Sequence, residues 1–262
     1  MNSFEKHDVH HLSPSSINEF ITCPQKWLLK VAKLNDRTGS PAMWRGTAID
    51  KAVTMAIEES LNDEQAIDAA TSVYSECVAK DSSSFIDQKA EEKRQKELMS
   101  LRGYMEAALP HYRGLGAPIE AQQKIEIIEP DIPVPIIGYV DLVYPTLIRD
   151  IKTVSRMPSS LPQTAGRQMA IYAKATKKLP VLDYINATKT QKRVVVMAVS
   201  DPDYHYDVAM QAARAMEKIL SISDDIQEVA SLLIPDLDDW RWNAKEKINA
   251  KKLWRLKDDN EK

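Results

Sequence analysis

The sequence predicts one α/β domain with a helical N-terminal part. Helical periodicity dominates the first half of the chain, short β-rich segments follow Pro118, and further helical segments alternate with these strands and follow them. Hydrophobic residues make up 44% of the 262 residues, which is enough for a sizeable core. Only seven glycines are present, and the phosphate-binding patterns GxxxxGK[ST] and GxGxxG are absent. A glycine-rich all-β protein is therefore disfavoured.

The N-terminal part is predicted to be helical after a flexible tail at residues 1–12. Ser13 supplies a hydroxyl cap and Pro14 stands in the first turn, a combination typical of a helix start. Three further segments show helical periodicity: 46–61, 64–80 and 88–112. The last of them is polar on one face, which predicts a surface helix.

The second half is predicted to supply the sheet and the last helices. Strands are predicted at 124–128, 134–143, 147–153, 184–188 and 193–200. The last strand contains the apolar run VVVMAV and is predicted to be buried. Helices are predicted at 161–177, 203–230 and 240–256. A single domain is thus expected over 13–258, with a mainly helical part (13–117), a sheet core (118–200) and C-terminal helices (201–258).

Charge and cysteine content restrict the function. The net charge of −3 does not favour a nucleic-acid partner, so a DNA-binding surface would have to be a local basic patch. The two cysteines, Cys23 and Cys77, form no CxxC pattern, which disfavours a disulfide framework, a zinc site and an iron–sulfur cluster. No segment reaches membrane-spanning length, so we expect a cytoplasmic protein with no membrane partner.

Residues 138–153 (GYVDLVYPTLIRDIKT) place an Asp and an Asp-x-Lys on two adjacent predicted strands. If the chain reverses at residues 145–146, positions whose numbers sum to 291 face each other. Asp141 then lies opposite Asp150, with Cβ atoms roughly 5 Å apart. Lys152 lies two residues beyond Asp150 and points to the same face. The hairpin would thus collect two carboxylates and one amine.

Two opposed carboxylates in an apolar hairpin destabilise it, and a divalent cation between them removes this penalty. Mg²⁺ suits the site because it takes hard oxygen ligands and keeps several waters, and Mn²⁺ is expected to substitute. The carbonyl of Ile151 is a further candidate ligand. Lys152 is a candidate to orient and deprotonate a water, or to stabilise charge on a phosphate. The alternative is an Asp–Lys–Asp cluster on a solvated sheet face.

Five motifs in order resemble those of a known family. They are SPSSINEFITCPQKWLL (13–29), like the opening helix of RecB-like nucleases; RGTAID (45–50), like Gly-Thr-x-x-His; GYVDLV (138–143), like GxxD; IRDIKT (148–153), like DxK; and QMAIY (168–172), like Gln-x-x-x-Tyr. Together they resemble the RecB-like, phage recombination exonuclease branch of the PD-(D/E)XK nuclease superfamily. The resemblance implies a restriction-endonuclease-like core, with a central mixed β-sheet flanked by helices and a helical N-terminal elaboration.

The resemblance implies roles for the hairpin residues. Asp141 and Asp150 would be metal ligands in the catalytic centre, with the Ile151 carbonyl assisting, and Lys152 would be catalytic. The implied cofactor is Mg²⁺.

Three further positions follow from the resemblance. Gln168 would hold the lysine, water or phosphate, and Tyr172, one helical turn away, would support the site. Ordinary helix packing is the alternative for this pair. Asp50 stands where the family has a metal-binding histidine, and we expect it to be a metal ligand; a solvated helix residue is the alternative.

Many RecB-like nucleases carry four cysteines that hold an iron–sulfur cluster. Here only Cys23 lies near the early cysteine position, and the C-terminal segment WRWNAKEKINAKKLW has none. No iron–sulfur cluster is therefore expected, and Cys23 is interpreted as a small buried residue.

Candidate DNA contacts are basic or hydroxyl side chains near the motifs, because phosphates need positive charge or hydrogen-bond donors. They are Ser13, Ser15, Arg45, Arg156, Lys189, Lys192 and Arg193. Capping alone also explains the two serines. The basic C-terminal segment with Trp240 and Trp242 is a further candidate surface, although a tryptophan-bearing core stripe is favoured for that pair.

The resemblance implies a metal-dependent DNA nuclease, and within it we favour an exonuclease that resects double-stranded ends. Stand-alone relatives of this size are often encoded by phages and act with a single-strand-annealing protein, so the implied partners are DNA and such a protein, in the host cytoplasm. A homo-oligomer is left open. The alternatives are an endonuclease or a CRISPR-adaptation nuclease of the same fold, and an inactive DNA-binding or assembly module.

Overall fold

The computed structural model describes residues 1–35, 39–80 and 88–257. The strands are β1 (Glu120–Ile127), β2 (Ile136–Val143), β3 (Leu147–Thr153), β4 (Leu179–Ala187) and β5 (Lys192–Ala198). The helices are α1 (Ser3–Lys6), α2 (Pro14–Thr22), α3 (Pro24–Val31), α4 (Pro41–Glu58), α5 (Asp63–Lys80), α6 (Gln88–Leu115), α7 (Gln163–Thr176), α8 (Pro202–Leu220), α9 (Ile226–Ala230) and α10 (Ala244–Trp254). No helix of the described ranges is long and apolar enough to cross a membrane.

The five strands form one mixed sheet in the order β1-β2-β3-β4-β5. β2 and β3 are antiparallel, β3 and β4 are parallel, and β4 and β5 are antiparallel. The parallel step requires a crossover between β3 and β4, and α7 provides it. The predicted fold class, a central mixed sheet flanked by helices, is confirmed.

The chain divides into two compact units, which are described separately. The first comprises Met1–Arg37, Ile125–Gly138 and Asp201–Lys262, and the second comprises Thr38–Lys124 and Tyr139–Ser200. The single domain expected over 13–258 stays a prediction, and its last residue lies outside the described ranges.

The first unit contains the N-terminal segment, and the flexible tail predicted for residues 1–12 is corrected there. Asn2 and Glu5 form a capping box that starts α1. Phe4 is fully buried, and the backbone N–H of Leu12 donates to the carbonyl of Pro135 at 2.9 Å. The prediction failed because this segment is polar on average, whereas two of its apolar side chains, Phe4 and Leu12, are buried.

The C-terminal helices also belong to the first unit, and they differ from the prediction in two respects. The single helix expected over 203–230 is broken at residues 221–225, where Asp225 caps the short α9. Trp242 is buried, as a core stripe predicts, whereas Trp240 is 86% exposed. The helix predicted from residue 240 begins only at residue 244, in α10, so the two tryptophans stand in the turn region before it.

The second unit is built on a helical core. α4 packs against α5 and α6, and their apolar faces meet one face of the sheet at Leu142, Ile151 and Ile185. α6 passes close to β4: a Cβ added to Gly103 would lie 3.3 Å from the Cβ of Ala187. The surface helix predicted from 88 is thus solvated on its polar face only.

β5 lies at the edge of the sheet, and the prediction of a buried strand was wrong. Its residues are exposed or half-buried and none is fully buried, and Val196 is 48% exposed. An apolar run of this length does not distinguish a central strand from an edge strand, because the position in the sheet is decided by tertiary pairing.

Candidate active site

The β2–β3 hairpin has the register that the sequence predicts. Leu142 lies opposite Arg149 and Val143 lies opposite Ile148, and the numbers of each pair sum to 291. The N–H of Tyr144 donates to the carbonyl of Leu147 at 2.9 Å and closes the turn.

β3 presents two different faces, and the parallel register with β4 shows which residues share each one. Asp150 lies beside Leu182 and Lys152 lies beside Tyr184. Because side chains alternate along a strand, Arg149 and Ile151 point to the opposite face. The Asp-x-Lys pattern therefore places its two functional groups on one face, as predicted.

Asp150 is the centre of a compact polar cluster. Its side chain is 1% exposed, and its Oδ2 lies 2.6 Å from Nζ of Lys152. Nε2 of Gln168, on α7, donates to Oδ1 of Asp150 at 3.0 Å and to the hydroxyl of Tyr172 at 3.1 Å. The crossover helix thus brings the predicted Gln-x-x-x-Tyr pair to the predicted Asp-x-Lys pair, and Gln168 contacts the carboxylate rather than the lysine.

Asp141 is half-buried on β2, and its Oδ2 accepts a hydrogen bond of 2.7 Å from the N–H of Ile151. Burial is the main cause that raises the pKa of Asp141 well above its usual value, and the charges of Asp150 and Asp50 add to it. Asp141 therefore belongs to the same electrostatic cluster as the other two carboxyl groups.

Asp50 reaches this cluster from α4. Burial raises its pKa to about 6, with the Asp150 charge adding to the effect. Both carboxylate oxygens accept hydrogen bonds from Nε2 of Gln122 on β1, at 3.2 and 3.1 Å. Asp50, whose role the motifs leave open, therefore lies close enough to Asp150 for the charge of Asp150 to raise its pKa.

The pKa values of the lysine and the tyrosine follow from the same surroundings. Burial opposes the charge of Lys152, but the carboxylates of Asp150 and Asp141 outweigh burial and raise the pKa of the ammonium above its usual value. Burial raises the pKa of Tyr172 to about 12. At neutral pH the cluster therefore contains a charged lysine and a protonated phenol.

The donor set has the chemistry of a divalent-cation site. Three carboxyl groups supply the hard oxygens that Mg²⁺ prefers. Burial, followed by the charge of Asp150, raises the pKa values of Asp50 and Asp141. Each of the three carboxylates is held by a protein donor: Lys152, the Ile151 N–H or Gln122. As they stand, no three histidine, cysteine or carboxylate side chains of the described residues are grouped closely enough to hold a metal ion.

Arg45 does not lie where a DNA contact requires it. Its side chain is 6% exposed and pairs with Glu97, and its guanidinium stacks on Tyr104 with 4.7 Å to the ring centroid. Its Nε also donates to Oγ1 of Thr153 at 3.3 Å, at the end of β3. This placement argues against the predicted phosphate contact and makes Arg45 a support for the strand that carries Lys152.

The remaining predicted DNA contacts are distributed over both units. Ser13 and Ser15 lie in the first unit, where Ser13 accepts the capping hydrogen bond of α2. In the second unit, Arg156, Lys189 and Arg193 are exposed, whereas Lys192 is paired with Glu106. The two serines and the four basic residues stay candidate contacts.

Gln122 is a residue that the motifs do not reveal. It stands in β1 with a left-handed backbone, φ 52°, and contacts Asp50 across 72 positions of sequence. It precedes the predicted strand 124–128, and a polar residue at that place in the sequence carries no signal for this contact.

The family comparison agrees with this geometry. Two carboxylates and a lysine on adjacent strands, joined by a carboxylate from a helix, define a class of metal-dependent nuclease sites. The chain matches the family model of the PD-(D/E)XK nuclease superfamily over residues 11–249. The chain therefore belongs to the PD-(D/E)XK nuclease superfamily.

Comparisons with individual proteins add little. A solved structure described as the crystal structure of SSO0001 is 14% identical and covers 72% of this chain and 82% of that chain, with a TM-score of 0.29. A likeness at this level carries no functional argument. No curated protein sequence matches the chain.

Proposed function

We propose that the protein is a Mg²⁺-dependent deoxyribonuclease of the RecB-like type, and specifically an exonuclease that resects double-stranded DNA ends for recombination. The observation that carries the nuclease proposal is the cluster around Asp150, in which Lys152, Gln168 and the neighbouring carboxyl groups converge. Family membership supports the same chemistry. Mn²⁺ is expected to replace Mg²⁺.

In the proposed site, Asp50, Asp141, Asp150 and the Ile151 carbonyl would hold the cation. A bound cation would polarise the scissile phosphate and lower the pKa of a bound water. The ionised forms of the three carboxyl groups are required for this, and the raised pKa of Asp50, about 6, predicts that cation affinity falls as the pH drops below that value.

Lys152 acts on the phosphate in this proposal. Its raised pKa keeps it an ammonium at neutral pH, so it donates hydrogen bonds to a phosphate oxygen and stabilises the charge that develops during hydrolysis. Gln168 holds Asp150 by one hydrogen bond and Tyr172 by another, so it fixes the orientation of the carboxylate beside the lysine. Tyr172 is protonated and packs in the core, where it limits the movement of Gln168.

The exonuclease preference and the partners rest on the sequence resemblance. Members of the RecB-like branch often process DNA ends together with a single-strand-annealing protein, and a homo-oligomer is compatible with that use. An endonuclease of the same fold is the second candidate enzyme. An inactive DNA-binding module is disfavoured because Asp141, Asp150 and Lys152 are all retained.

A cleavage assay tests the proposal. End-labelled linear and circular duplexes are incubated with the protein and Mg²⁺, Mn²⁺ or EDTA. We expect linear DNA to be degraded with either metal, circular DNA to persist, and EDTA to stop the reaction. Lys152→Ala is expected to lower the rate about 10²–10⁴-fold, because a charge that stabilises the transition state is removed.

Lys80→Ala is the matched control, because that lysine is 80% exposed and is paired only with Glu76 on its own helix among the described contacts. Its rate should equal that of the wild type. Cleavage of circular DNA would show that the protein is an endonuclease rather than an exonuclease. Absence of product from every substrate with both metals would refute the enzyme proposal.

A further inference from the structure

The contact between Gln122 and Asp50 has an unusual geometry. Nε2 of Gln122 is nearly equidistant from the two carboxylate oxygens, at 3.2 and 3.1 Å. One donor between both oxygens takes the shared position in front of the carboxylate. A cation that coordinates a carboxylate through both oxygens needs that same position.

The backbone of Gln122 has an uncommon conformation. Its φ of 52° is in the left-handed region, which is uncommon for a residue other than glycine, asparagine or aspartate. Such strain is found where the surrounding structure holds a residue in place, and it is concentrated at functional sites. Here the strained residue lies inside β1 and its side chain reaches Asp50 on α4.

We propose that Gln122 restricts Asp50 to coordinating a cation through a single oxygen, and that it thereby makes the site select Mg²⁺ and Mn²⁺ against Ca²⁺. The inference rests on the proposed function, because it takes Asp50 to be a ligand of the cation. It adds a residue that determines specificity for the metal and that lies outside the five motifs.

The physical basis is the different coordination of the two ions. Ca²⁺ takes six to eight oxygen ligands and readily accepts both oxygens of one carboxylate, whereas Mg²⁺ demands six ligands at short distance and accepts single carboxylate oxygens and waters. When an amide fills the position between the two oxygens of a carboxylate, the affinity of that carboxylate for Ca²⁺ falls more than its affinity for Mg²⁺. Among the contacts of the described residues, Asp141 accepts at one oxygen from the Ile151 N–H, and Asp150 has a different donor at each oxygen, Gln168 and Lys152. In these contacts no single donor lies between the two oxygens of either carboxylate.

Calorimetric titration of the full-length protein with CaCl₂ and with MgCl₂, without DNA, measures the ratio of the two dissociation constants. Gln122→Gly removes the amide and suits the left-handed backbone. We expect it to shift the ratio about tenfold in favour of Ca²⁺, the size of change that loss of a hydrogen bond to a charged group produces. Gln122→Asn also tolerates this backbone, is too short to reach Asp50, and should shift the ratio in the same direction.

Gln123→Ala is the matched control, since the adjacent side chain donates to Glu120 rather than to Asp50. Its ratio should equal that of the wild type. Circular dichroism and thermal melting identify any variant that does not fold, and Gln122→Asn carries the test if Gln122→Gly fails. A ratio within about twofold of the wild type in the folded variants would overturn the proposal.

Asp50→Asn separates this inference from the proposed function. It should weaken the binding of both cations, and unchanged binding of both would remove Asp50 from the site and overturn the proposal. The titrations do not depend on cleavage. If the wild-type protein binds cations selectively but cuts no DNA, the proposed nuclease activity is refuted and the proposed role of Gln122 is retained.

Discussion

Asp50 and Asp141 carry carboxyl groups that are costly to ionise in the folded protein. Burial is the first cause for each, and the charge of Asp150 is the second. A cation offsets this cost, whereas the metal-free protein has to bear it. The raised pKa values therefore connect the stability of the fold to its proposed chemistry.

The pH dependence of stability tests this connection. The pKa of Asp50 is about 6 in the folded protein, whereas the ordinary pKa of an aspartate is 3.8. Ionisation of Asp50 therefore lowers the stability of the fold, and the full loss is present above pH 6. The loss vanishes below the pKa of Asp50 in the unfolded chain. In EDTA, we expect Asp50→Asn to raise the free energy of unfolding by about 1–2 kcal/mol at pH 8, and by progressively less as the pH falls from 6 to 4.

Urea unfolding curves at pH 8 and at pH 4.5, for the wild type and Asp50→Asn, measure this difference. Asp68→Asn is a suitable control, because that carboxylate is on the exposed side of α5. An equal gain at both pH values would contradict the assigned cause, since a gain from ionisation has to disappear with the charge.

Among the elements, α4 and β3 are linked by Arg45. Its guanidinium pairs with Glu97 on α6, stacks on Tyr104 and donates to Thr153 at the end of the strand. This single side chain therefore connects two helices with the strand that carries Lys152. The sequence placed it among the DNA contacts, since a basic residue beside a motif is equally compatible with a phosphate and with an internal carboxylate.

Loss of this arginine should be costly. We expect Arg45→Met, which keeps an apolar stem, to lower the free energy of unfolding by about 2–4 kcal/mol, because Glu97 is left without its partner in a largely buried setting. Chemical denaturation measures the loss. The double variant Arg45→Met/Glu97→Gln should recover part of it, and a double variant as unstable as the sum of both single variants would show that the two charges are not coupled.

Other elements show where the local sequence pattern was sufficient to predict the structure and where it was not. The β2–β3 hairpin formed in the predicted register, because alternation and a short turn are local properties. The edge position of β5 and the break between α8 and α9 were not predicted. Periodicity reports which residues are apolar, whereas pairing partners and helix ends depend on what packs against them.

Considered as a whole molecule, the protein is weakly acidic, with a net charge of −3. The proposed affinity for DNA would then have to come from local basic residues, and Lys189 and Arg193 are exposed candidates near the β4–β5 turn. Lys192 is paired with Glu106, which reduces the charge it can offer a phosphate. Lys189 and Arg193 are therefore expected to contribute more to DNA binding than Lys192 does.

The salt dependence of binding measures this contribution. Each phosphate contact adds about −0.9 to the slope of log affinity against log salt concentration on duplex DNA. We expect the double variant Lys189→Ala/Arg193→Ala to weaken binding of a short duplex and to reduce the slope by about 2. Fluorescence anisotropy at a series of KCl concentrations gives both values.

Lys80→Ala again serves as the control and should leave the slope unchanged. If the double variant keeps the full slope, these residues do not contact phosphates and the DNA path lies elsewhere.

The sequence by itself determined the fold class and the register of the β2–β3 hairpin next to its turn, with Lys152 on the same face as Asp150. These features follow from the alternation of side chains along a strand, the position of the turn and the order of the motifs, all of which are local properties of the sequence. Tertiary structure alone decided that Arg45 pairs with Glu97 and that Gln122 holds Asp50, across 52 and 72 positions of sequence. Such contacts join distant segments, and their partners are selected by the packing of helices on the sheet.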